Sequence, residues 1–132
     1  HLPYVKQSDY SSANVSSGSN GLSRKCFLLS AVEMGIYTWQ GIDGLMAQEG
    51  AKLDYFDYTT AATDKRKAGD EYWTRSKRTH NGNYMYAFYA DGSFCNAGYR
   101  EDSHGLRPCI VLPLNTLVRT VTFWGAEFNY ID

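Results

Sequence analysis

Glu71-Tyr72-Trp73-Thr74-Arg75-Ser76 and Gly105-Leu106-Arg107-Pro108-Cys109-Ile110 are the two runs of sequence on which the predicted fold depends. Each run places one arginine inside an aromatic or apolar segment that has the composition of a strand. A buried charge is costly unless it is paired and hydrogen-bonded. We therefore expect Arg75 and Arg107 to be structural residues, fixed by carboxylates such as Glu33 or by backbone carbonyls. The alternative, a clamp for an anion or for the carboxylate of a sugar, stays open.

A β-hairpin is predicted between these two runs. Tyr84-Met85-Tyr86-Ala87-Phe88-Tyr89-Ala90 is an aromatic strand, and Asp91-Gly92 follows it directly. This dipeptide is typical of a two-residue type I′ turn, in which both central residues need positive φ. Residues 93–97 then form the return strand, and residues 106–112 and 118–124 are predicted as further strands.

A helix is predicted after the short apolar run at residues 25–29, which itself has the composition of a buried strand. Ser30 and Glu33 have the spacing of a capping box, in which each side chain accepts a hydrogen bond from the backbone amide of the other residue. The helix should therefore begin at Ala31 and run through Val32 and Met34, and its end stays open, with Tyr37 and Trp39 as the furthest residues considered. Gly35 weakens it, because glycine has a low helix propensity.

The chain is most simply one domain preceded by a linker. Residues 1–21 are rich in serine, glycine and asparagine, which give no apolar face to bury. We predict a loop or linker there, or the remnant of a longer domain. Residues 22–132 are the predicted domain, which is long enough for a core of its own. Within it, a second short helix is expected at residues 44–49 and a polar connection at residues 59–69.

Composition and charge restrict the classes of function. The 132 residues are 43% hydrophobic and 20% charged, which is typical of a globular chain. The formal net charge of −1 argues against a nucleic-acid partner. No run has the length and apolarity of a transmembrane helix, so membrane insertion is not expected. The three cysteines, an odd number without CxxC spacing, favour production in a reducing cytoplasm over a disulfide framework or a zinc site.

Four runs of the sequence resemble the motifs of an uncharacterised domain family of Gram-positive bacteria and their phages. Lys25-Cys26-Phe27-Leu28-Leu29-Ser30-Ala31-Val32-Glu33 and Tyr72-Trp73-Thr74-Arg75-Ser76 are similar to the KVFLLS-x-x-E and WWLRSP motifs of that family. Ala90-Asp91-Gly92-Ser93 and Gly105-Leu106-Arg107-Pro108-Cys109-Ile110 are similar to its DGS hairpin and its GVRPAL motif. The resemblance covers about residues 22–118.

The same order of motifs is similar, more distantly, to the C-type-lectin-like fold of formylglycine-generating-type domains. This resemblance implies an α+β class, with an antiparallel twisted sheet of short hairpins, one or two helices and long loops. We expect structural roles for a set of residues within the motifs, namely Ser30, Glu33, Trp73, Arg75, Gly92, Gly105 and Arg107.

Because the lectin-like fold is widely used to display variable loops, the resemblance implies a non-enzymatic binding or display module. It would belong to a virion-associated, phage-related protein or a bacterial surface protein, and would recognise a host-surface glycan or protein. We expect its binding residues in loops and on aromatic platforms, with six candidates: Trp39, Arg78, Tyr84, Tyr99, Arg100 and His104. The alternative is a structural phage protein, such as a tail fibre, baseplate or capsid component. Its contacts would be only with other subunits, in a homo-oligomer or a larger assembly.

No catalytic residue, metal or cofactor is predicted. Cys109 with His104 or His80 is the combination that a nucleophilic mechanism could use, but a cysteine inside an apolar strand-like run is typical of an inert core thiol. Cys95, His104 and Cys109 lack the tight spacing of zinc ligands. A third hypothesis, a degenerate formylglycine-generating domain, is disfavoured because the sequence offers no reactive cysteine pair.

Overall fold

The computed structural model describes residues 1–5, 15–36, 49–56, 60–78, 83–99, 101–113, 115–116, 118–123 and 126–131. These residues form mainly β-structure, together with one short α-helix and a 3-10 turn at Gly18–Asn20. The strands are β1 (Tyr4–Val5), β2 (Val15–Ser16), β3 (Cys26–Leu28), β4 (Tyr72–Lys77), β5 (Tyr84–Phe88), β6 (Phe94–Tyr99), β7 (Gly105–Leu106), β8 (Pro108–Ile110), β9 (Val118–Phe123) and β10 (Ala126–Ile131), and the helix is α1 (Thr60–Arg66). The predicted α+β class is confirmed in these broad, β-rich terms.

A four-stranded sheet with the order β6-β5-β4-β7 carries most of the motifs. β5 pairs antiparallel with both β4 and β6, whereas β7 pairs parallel with β4 through Tyr72–Gly105 and Trp73–Leu106. The other strand pairs, β1–β2, β3–β8 and β9–β10, are antiparallel. The strand predicted at residues 106–112 is thus divided at Arg107, where the chain passes from the large sheet to β3.

The apolar core lies against one face of this sheet. Side chains alternate along β5, and Tyr86 and Phe88, which share a face, are fully buried. Their rings pack against Phe94 of β6, with centroids 5.2 and 5.6 Å away. The other core residues come from β4 and from the segments before α1, namely Ala31, Val32, Met34, Ile36, Phe56 and Tyr72.

The hairpin predicted at Asp91-Gly92 is confirmed, but its turn is longer than expected. The amide of Tyr89 donates to the carbonyl of Ser93 at 2.9 Å, so the loop holds three residues rather than the two of a type I′ turn. Gly92 closes the loop in the left-handed region, with a φ of 82°. The Asp91 carboxylate accepts hydrogen bonds from the amide and the hydroxyl of Ser93, which stabilises the longer form.

The capping box at Ser30 and Glu33 is present, but it begins a single turn. The Glu33 amide donates to the Ser30 hydroxyl at 3.0 Å, and the Ser30 amide donates to the Glu33 carboxylate at 3.0 Å. Gly35 follows with a φ of 84°, and the Ile36 amide donates back to the carbonyl of Ala31. This is the hydrogen-bond pattern that ends helices at a left-handed glycine. The predicted helix is therefore wrong over residues 31–36, and its further extension to Tyr37 or Trp39 lies outside the described residues.

Helix α1 lies where the sequence predicted a polar connection, and that prediction is wrong. Tertiary contacts stabilise this short helix, since the Tyr72 hydroxyl donates to the carbonyl of Arg66 at 2.6 Å. Arg107 donates to carbonyls of the last helical turn at 3.3 and 3.5 Å, where a cation also suits the helix dipole. Arg66 donates to the Gly92 carbonyl at 3.1 Å. The other predicted helix, residues 44–49, lies almost wholly outside the described residues.

Residues 1–21, predicted as a loop or linker, contribute the strand pair β1–β2. The Pro3 carbonyl accepts a hydrogen bond from the Arg75 side chain at 3.1 Å, and the Val5 amide donates to a buried carboxylate at 2.9 Å. Polar groups from later in the chain thus fix the start of this segment, and Val5 buries its side chain there, which its serine-rich composition did not predict. The domain boundary at residue 22 stays a prediction.

Candidate binding surface

The Arg75 side chain is enclosed, and each of its five N–H groups has an internal acceptor. Nη1 and Nη2 donate to the two carboxylate oxygens of Glu33, at 2.5 and 2.7 Å. The remaining donors bind the backbone carbonyls of Pro3, Leu28 and Glu49 at 3.1, 3.0 and 3.3 Å. The side chains of Arg75 and Glu33 are only 8% and 10% exposed. No donor of Arg75 therefore remains for an external anion.

The local fold explains this pairing. The Arg75 amide donates to the carbonyl of Leu29 at 3.0 Å, which places the capping turn beside β4. The neighbouring Ser76 hydroxyl accepts the amide of Ala31 at 3.1 Å and fixes the same turn from the other side. Glu33 can then cap the turn with its carboxylate and bind Arg75 at the same time. That Arg75 serves structure alone stays a prediction.

Glu49 adds a second carboxyl group to this enclosed region. Its side chain is 1% exposed; Oε1 accepts the Val5 amide at 2.9 Å, and Oε2 has no hydrogen-bond partner among the described residues. Burial raises the pKa of Glu49, although the Ser76 hydroxyl, the Val5 amide and the charge of Arg75 oppose the shift. The neutral carboxyl group therefore persists to a higher pH here than at an exposed glutamate.

Arg107 is also bound internally. Its Nη1 donates to the Tyr72 hydroxyl at 3.3 Å and to the carbonyls of Lys65 and Arg66. The guanidinium lies over the Tyr72 ring, 5.5 Å from its centroid, a favourable cation–π contact. Burial raises the pKa of Tyr72, although Arg107 opposes this. Arg107 thus joins α1 to β4, and its purely structural role stays a prediction.

Arg78, Tyr84 and Tyr99 form one group at the end of the sheet, which we call the tyrosine cluster. Tyr84 and Tyr99 are cross-strand neighbours in β5 and β6, and their rings meet edge to face with centroids 5.4 Å apart. The Arg78 guanidinium lies 5.9 Å from the centroid of the Tyr84 ring. Tyr99 is 36% exposed, and its amide donates to the Asp102 carboxylate at 2.9 Å. The structure thus brings together three of the six predicted binding residues.

His104 lies elsewhere, stacked on the Trp73 ring. The two ring centroids are 4.2 Å apart, and Nδ1 of His104 lies 3.5 Å from the Glu71 carboxylate. A pocket of about 240 Å³ opens beside Trp73, and Met85 lines it. Because Met85 follows Tyr84 in β5, their side chains point to opposite faces of the sheet. The histidine therefore does not belong to the tyrosine cluster.

Two predicted binding residues, Trp39 and Arg100, lie outside the described residues. Of two further polar residues of these regions, Glu49 was not predicted, whereas Asp102 lies in the loop of residues 99–104 that was expected to carry binding residues but was not itself singled out. Asp102 follows Tyr99 closely in the chain, and an acidic residue after an exposed aromatic one is a usable signal. For Glu49 the signal is its position directly before Gly50, because a glycine can mark a turn. Gly50 indeed adopts a positive φ of 98°.

Cys109 has an environment unlike that of a catalytic nucleophile. Burial raises the pKa of its thiol, and the nearby charge of Arg107 lowers it less. A nucleophilic cysteine needs a lowered pKa and an accessible sulfur. Its partner in one of the considered pairs, His80, lies outside the described residues. This geometry weighs against the Cys/His option.

The described ranges contain neither a metal-ligand cluster nor a membrane-spanning helix. Within them, no group of three or more histidine, cysteine, aspartate or glutamate side chains could hold a metal ion together. No helix of the same ranges is long and apolar enough to cross a membrane.

Comparison with known protein families places most of the chain in a family. Residues 1–114 match the family model described as a domain of unknown function (DUF6273). Since the match covers most of the 132 residues, the chain belongs to this family. The matched region includes the segment predicted as a linker and ends before β9. No curated protein and no solved structure matches the chain significantly.

Proposed function

We propose that the chain is a non-enzymatic binding module whose tyrosine cluster recognises a glycan on a cell surface. The observation that supports this proposal is the convergence of Arg78, Tyr84 and Tyr99 at one end of the sheet. One ligand could therefore contact the exposed ring of Tyr99, the guanidinium of Arg78 and the carboxylate of the adjoining Asp102.

A sugar suits this combination better than a simple anion does. The Tyr99 ring gives a large apolar surface at low entropic cost, on which the C–H face of a sugar ring can pack. Arg78 donates hydrogen bonds and Asp102 accepts them, so both can bind sugar hydroxyls. An anion would gain from Arg78 but would be repelled by Asp102. A neutral hydroxylated ligand is served by both groups.

The binding module would have the C-type-lectin-like scaffold that the motifs imply. It would belong to a phage-related or bacterial surface protein. The position of the cluster supports it. Arg78 and Tyr84 flank the connection between β4 and β5, and Tyr99 ends β6, so a hydrogen-bonded sheet presents the loops. Binding residues are often found on loops that a rigid scaffold positions in this way.

A glycan array with the purified chain tests the proposal. We expect the wild-type chain to bind a restricted set of glycans, and Tyr99→Ala and Arg78→Ala each to weaken that binding by about tenfold, or ~1.4 kcal/mol. Tyr89→Ala is the matched control, because Tyr89 is a tyrosine that is 42% exposed outside the cluster. Absence of glycan binding by the wild-type chain, or an equal loss in Tyr89→Ala, contradicts the proposal.

The alternative function, a structural subunit of a phage particle, is favoured by a different observation. Leu106 and Val111 are 70% and 78% exposed, which is unusual for aliphatic residues unless a partner covers them. Light scattering separates the two functions. A stable homo-oligomer without glycan binding supports the assembly role, and a glycan-binding monomer supports the binding module.

A further inference from the structure

A second depression, which we call the β8 groove, lies beside β3 and β8. Two adjoining cavities of about 390 Å³ each share Leu2, Phe27 and Val111 in their lining, and we treat them together as one groove. Ile110 lines one end and Arg24 lines the other. A groove that is apolar at the Ile110 end and polar at the Arg24 end suits an extended peptide better than a compact polar ligand.

The exposed wall of the β8 groove is a run of aliphatic residues. Ile110, Val111 and Leu112 are consecutive, and they are 53%, 78% and 39% exposed. Leu53, on the opposite wall, is 42% exposed. Consecutive exposed aliphatic residues are unfavourable in water and are normally retained only where they have a function. The groove is therefore built to be covered.

β8 also offers a free backbone edge. It pairs with β3 through Cys26–Ile110, Phe27–Cys109 and Leu28–Pro108, and no other described strand pairs with it. Within the part of the chain that the structure describes, its outer edge therefore has no strand partner, and an added strand could pair there. Pro108 and Pro113 lie at the two ends of this run and limit the edge to a short pairing.

Charge distinguishes the two ends of the groove. Arg24 lines one end, and Lys25, beside it in the chain, is exposed. Glu33 is the one carboxylate among the lining residues, and Arg75 binds both of its oxygens. The described lining therefore has uncompensated positive charge at the Arg24 end. A ligand complementary to it carries a carboxylate there.

From these features we infer that the β8 groove binds an extended segment of a partner protein, which adds as a strand to the free edge of β8. Its alternate apolar side chains would fill the groove, and an acidic residue or a C-terminal carboxylate would bind Arg24. A second copy of this chain fits less well. Its own run of residues 108–112 has no acidic residue and would leave Arg24 unmatched. This inference does not depend on the glycan-binding proposal.

Peptide selection tests the inference. A library of random peptides displayed on yeast is selected on the immobilised wild-type chain, and the enriched peptides are measured by fluorescence anisotropy. We expect apolar residues at alternate positions and an acidic residue at one end. Val111→Asp should weaken binding by about tenfold or more, because it places a charge on the groove wall. Leu106→Asp is the matched control, since Leu106 is also an exposed aliphatic residue but does not line the groove.

A charge exchange makes the test specific for the Arg24 end. Arg24→Glu should weaken the binding of the acidic peptides. Replacing the acidic residue of the peptide by lysine should restore binding to this variant. Circular dichroism verifies that the variants remain folded. Three results would overturn the inference. They are failure to enrich any peptide, enriched peptides whose binding ignores the charge exchange, or a wild-type dimer that Val111→Asp dissociates in light scattering.

Discussion

Arg75 and Arg78 lie three residues apart in the chain, but their surroundings are opposite. Arg75 is 8% exposed, and Glu33 and three backbone carbonyls accept all of its hydrogen bonds. Arg78 lies over the Tyr84 ring, next to the exposed ring of Tyr99. We call the surroundings of Arg75 the enclosed region and those of Arg78, with Tyr84 and Tyr99, the open region.

The comparison shows what separates a structural arginine from a candidate binding arginine. In the enclosed region the guanidinium joins three parts of the chain, and removing it leaves buried carboxylates behind. In the open region the guanidinium lies on an aromatic surface that a ligand can reach. Arg75 lies in β4 and Arg78 directly after it, so the distinction between them comes from what each guanidinium contacts, a buried carboxylate for Arg75 and the Tyr84 ring of the tyrosine cluster for Arg78.

The largest expected effect is the loss of the enclosed arginine. Arg75→Leu leaves Glu33 without its ion-pair partner and Glu49 without a nearby positive charge. Breaking a buried pair in this way costs ~3–5 kcal/mol, so we expect Arg75→Leu to abolish soluble folding. Arg78→Leu, the matched change in the open region, should lower the free energy of unfolding by only ~1 kcal/mol. Soluble yield and urea denaturation measure both. A well-folded Arg75→Leu chain that has lost ligand binding would instead identify Arg75 as a ligand clamp.

Close packing should make a buried position sensitive to substitution even where no charge is removed. Gly92 has a φ of 82°, and a methyl group there would overlap the carbonyl oxygen of Thr63 in α1. We expect Gly92→Ala to lower the free energy of unfolding by ~1–3 kcal/mol, because neither the turn nor the helix backbone can move easily. Gly69→Ala is the control, since nothing lies within 4 Å of the added methyl group. Equal thermal unfolding of the two variants would contradict this account.

The sequence predicted the parts of the fold that local pattern determines. The alternation of residues 84–90 identifies β5, and Asp91-Gly92 identifies the hairpin, because both signals act within a few residues. It missed α1, because the groups that stabilise this helix, Tyr72 and Arg107, both follow it in the chain, one nearby and one far away. The predicted long helix failed for a related reason. Propensity favoured helix, whereas the left-handed Gly35 closes the first turn.

The candidate site was predictable to a similar extent. Glu33 was expected as a partner of a buried arginine, because a charge in an apolar strand needs one. Arg78, Tyr84 and Tyr99 were expected as candidates, but their convergence depends on the register between β5 and β6. His104 was placed with them because it is close in sequence. The stacking on Trp73 that separates it from them has no sequence signal.

Glu49 predicts a pH dependence that belongs to the enclosed region. Burial raises its pKa in the folded state above the ordinary value of 4.5. The stability that the neutral carboxyl group contributes is therefore complete below that value and is lost as the pH rises through the raised pKa. The Glu49→Gln variant should not show this decline. Its free energy of unfolding should therefore rise relative to that of wild type from acidic to neutral pH. Urea denaturation across this range measures it, with the exposed Glu101→Gln as control. A constant difference between Glu49→Gln and wild type would contradict the expectation.

The smallest expected effect on stability is the removal of one hydroxyl from the open region. Tyr99→Phe should change the free energy of unfolding by no more than ~0.5 kcal/mol, because the ring is 36% exposed and keeps its edge-to-face contact with Tyr84. The same change in a buried position, Tyr72→Phe, removes a hydroxyl that donates to Arg66 at 2.6 Å and accepts from Arg107 at 3.3 Å. Leaving these groups unsatisfied should cost ~1–3 kcal/mol. Urea denaturation of both variants gives the difference directly. If Tyr99→Phe proves as destabilising as Tyr72→Phe, the tyrosine cluster holds the fold together, and its assignment as a ligand surface loses its physical basis.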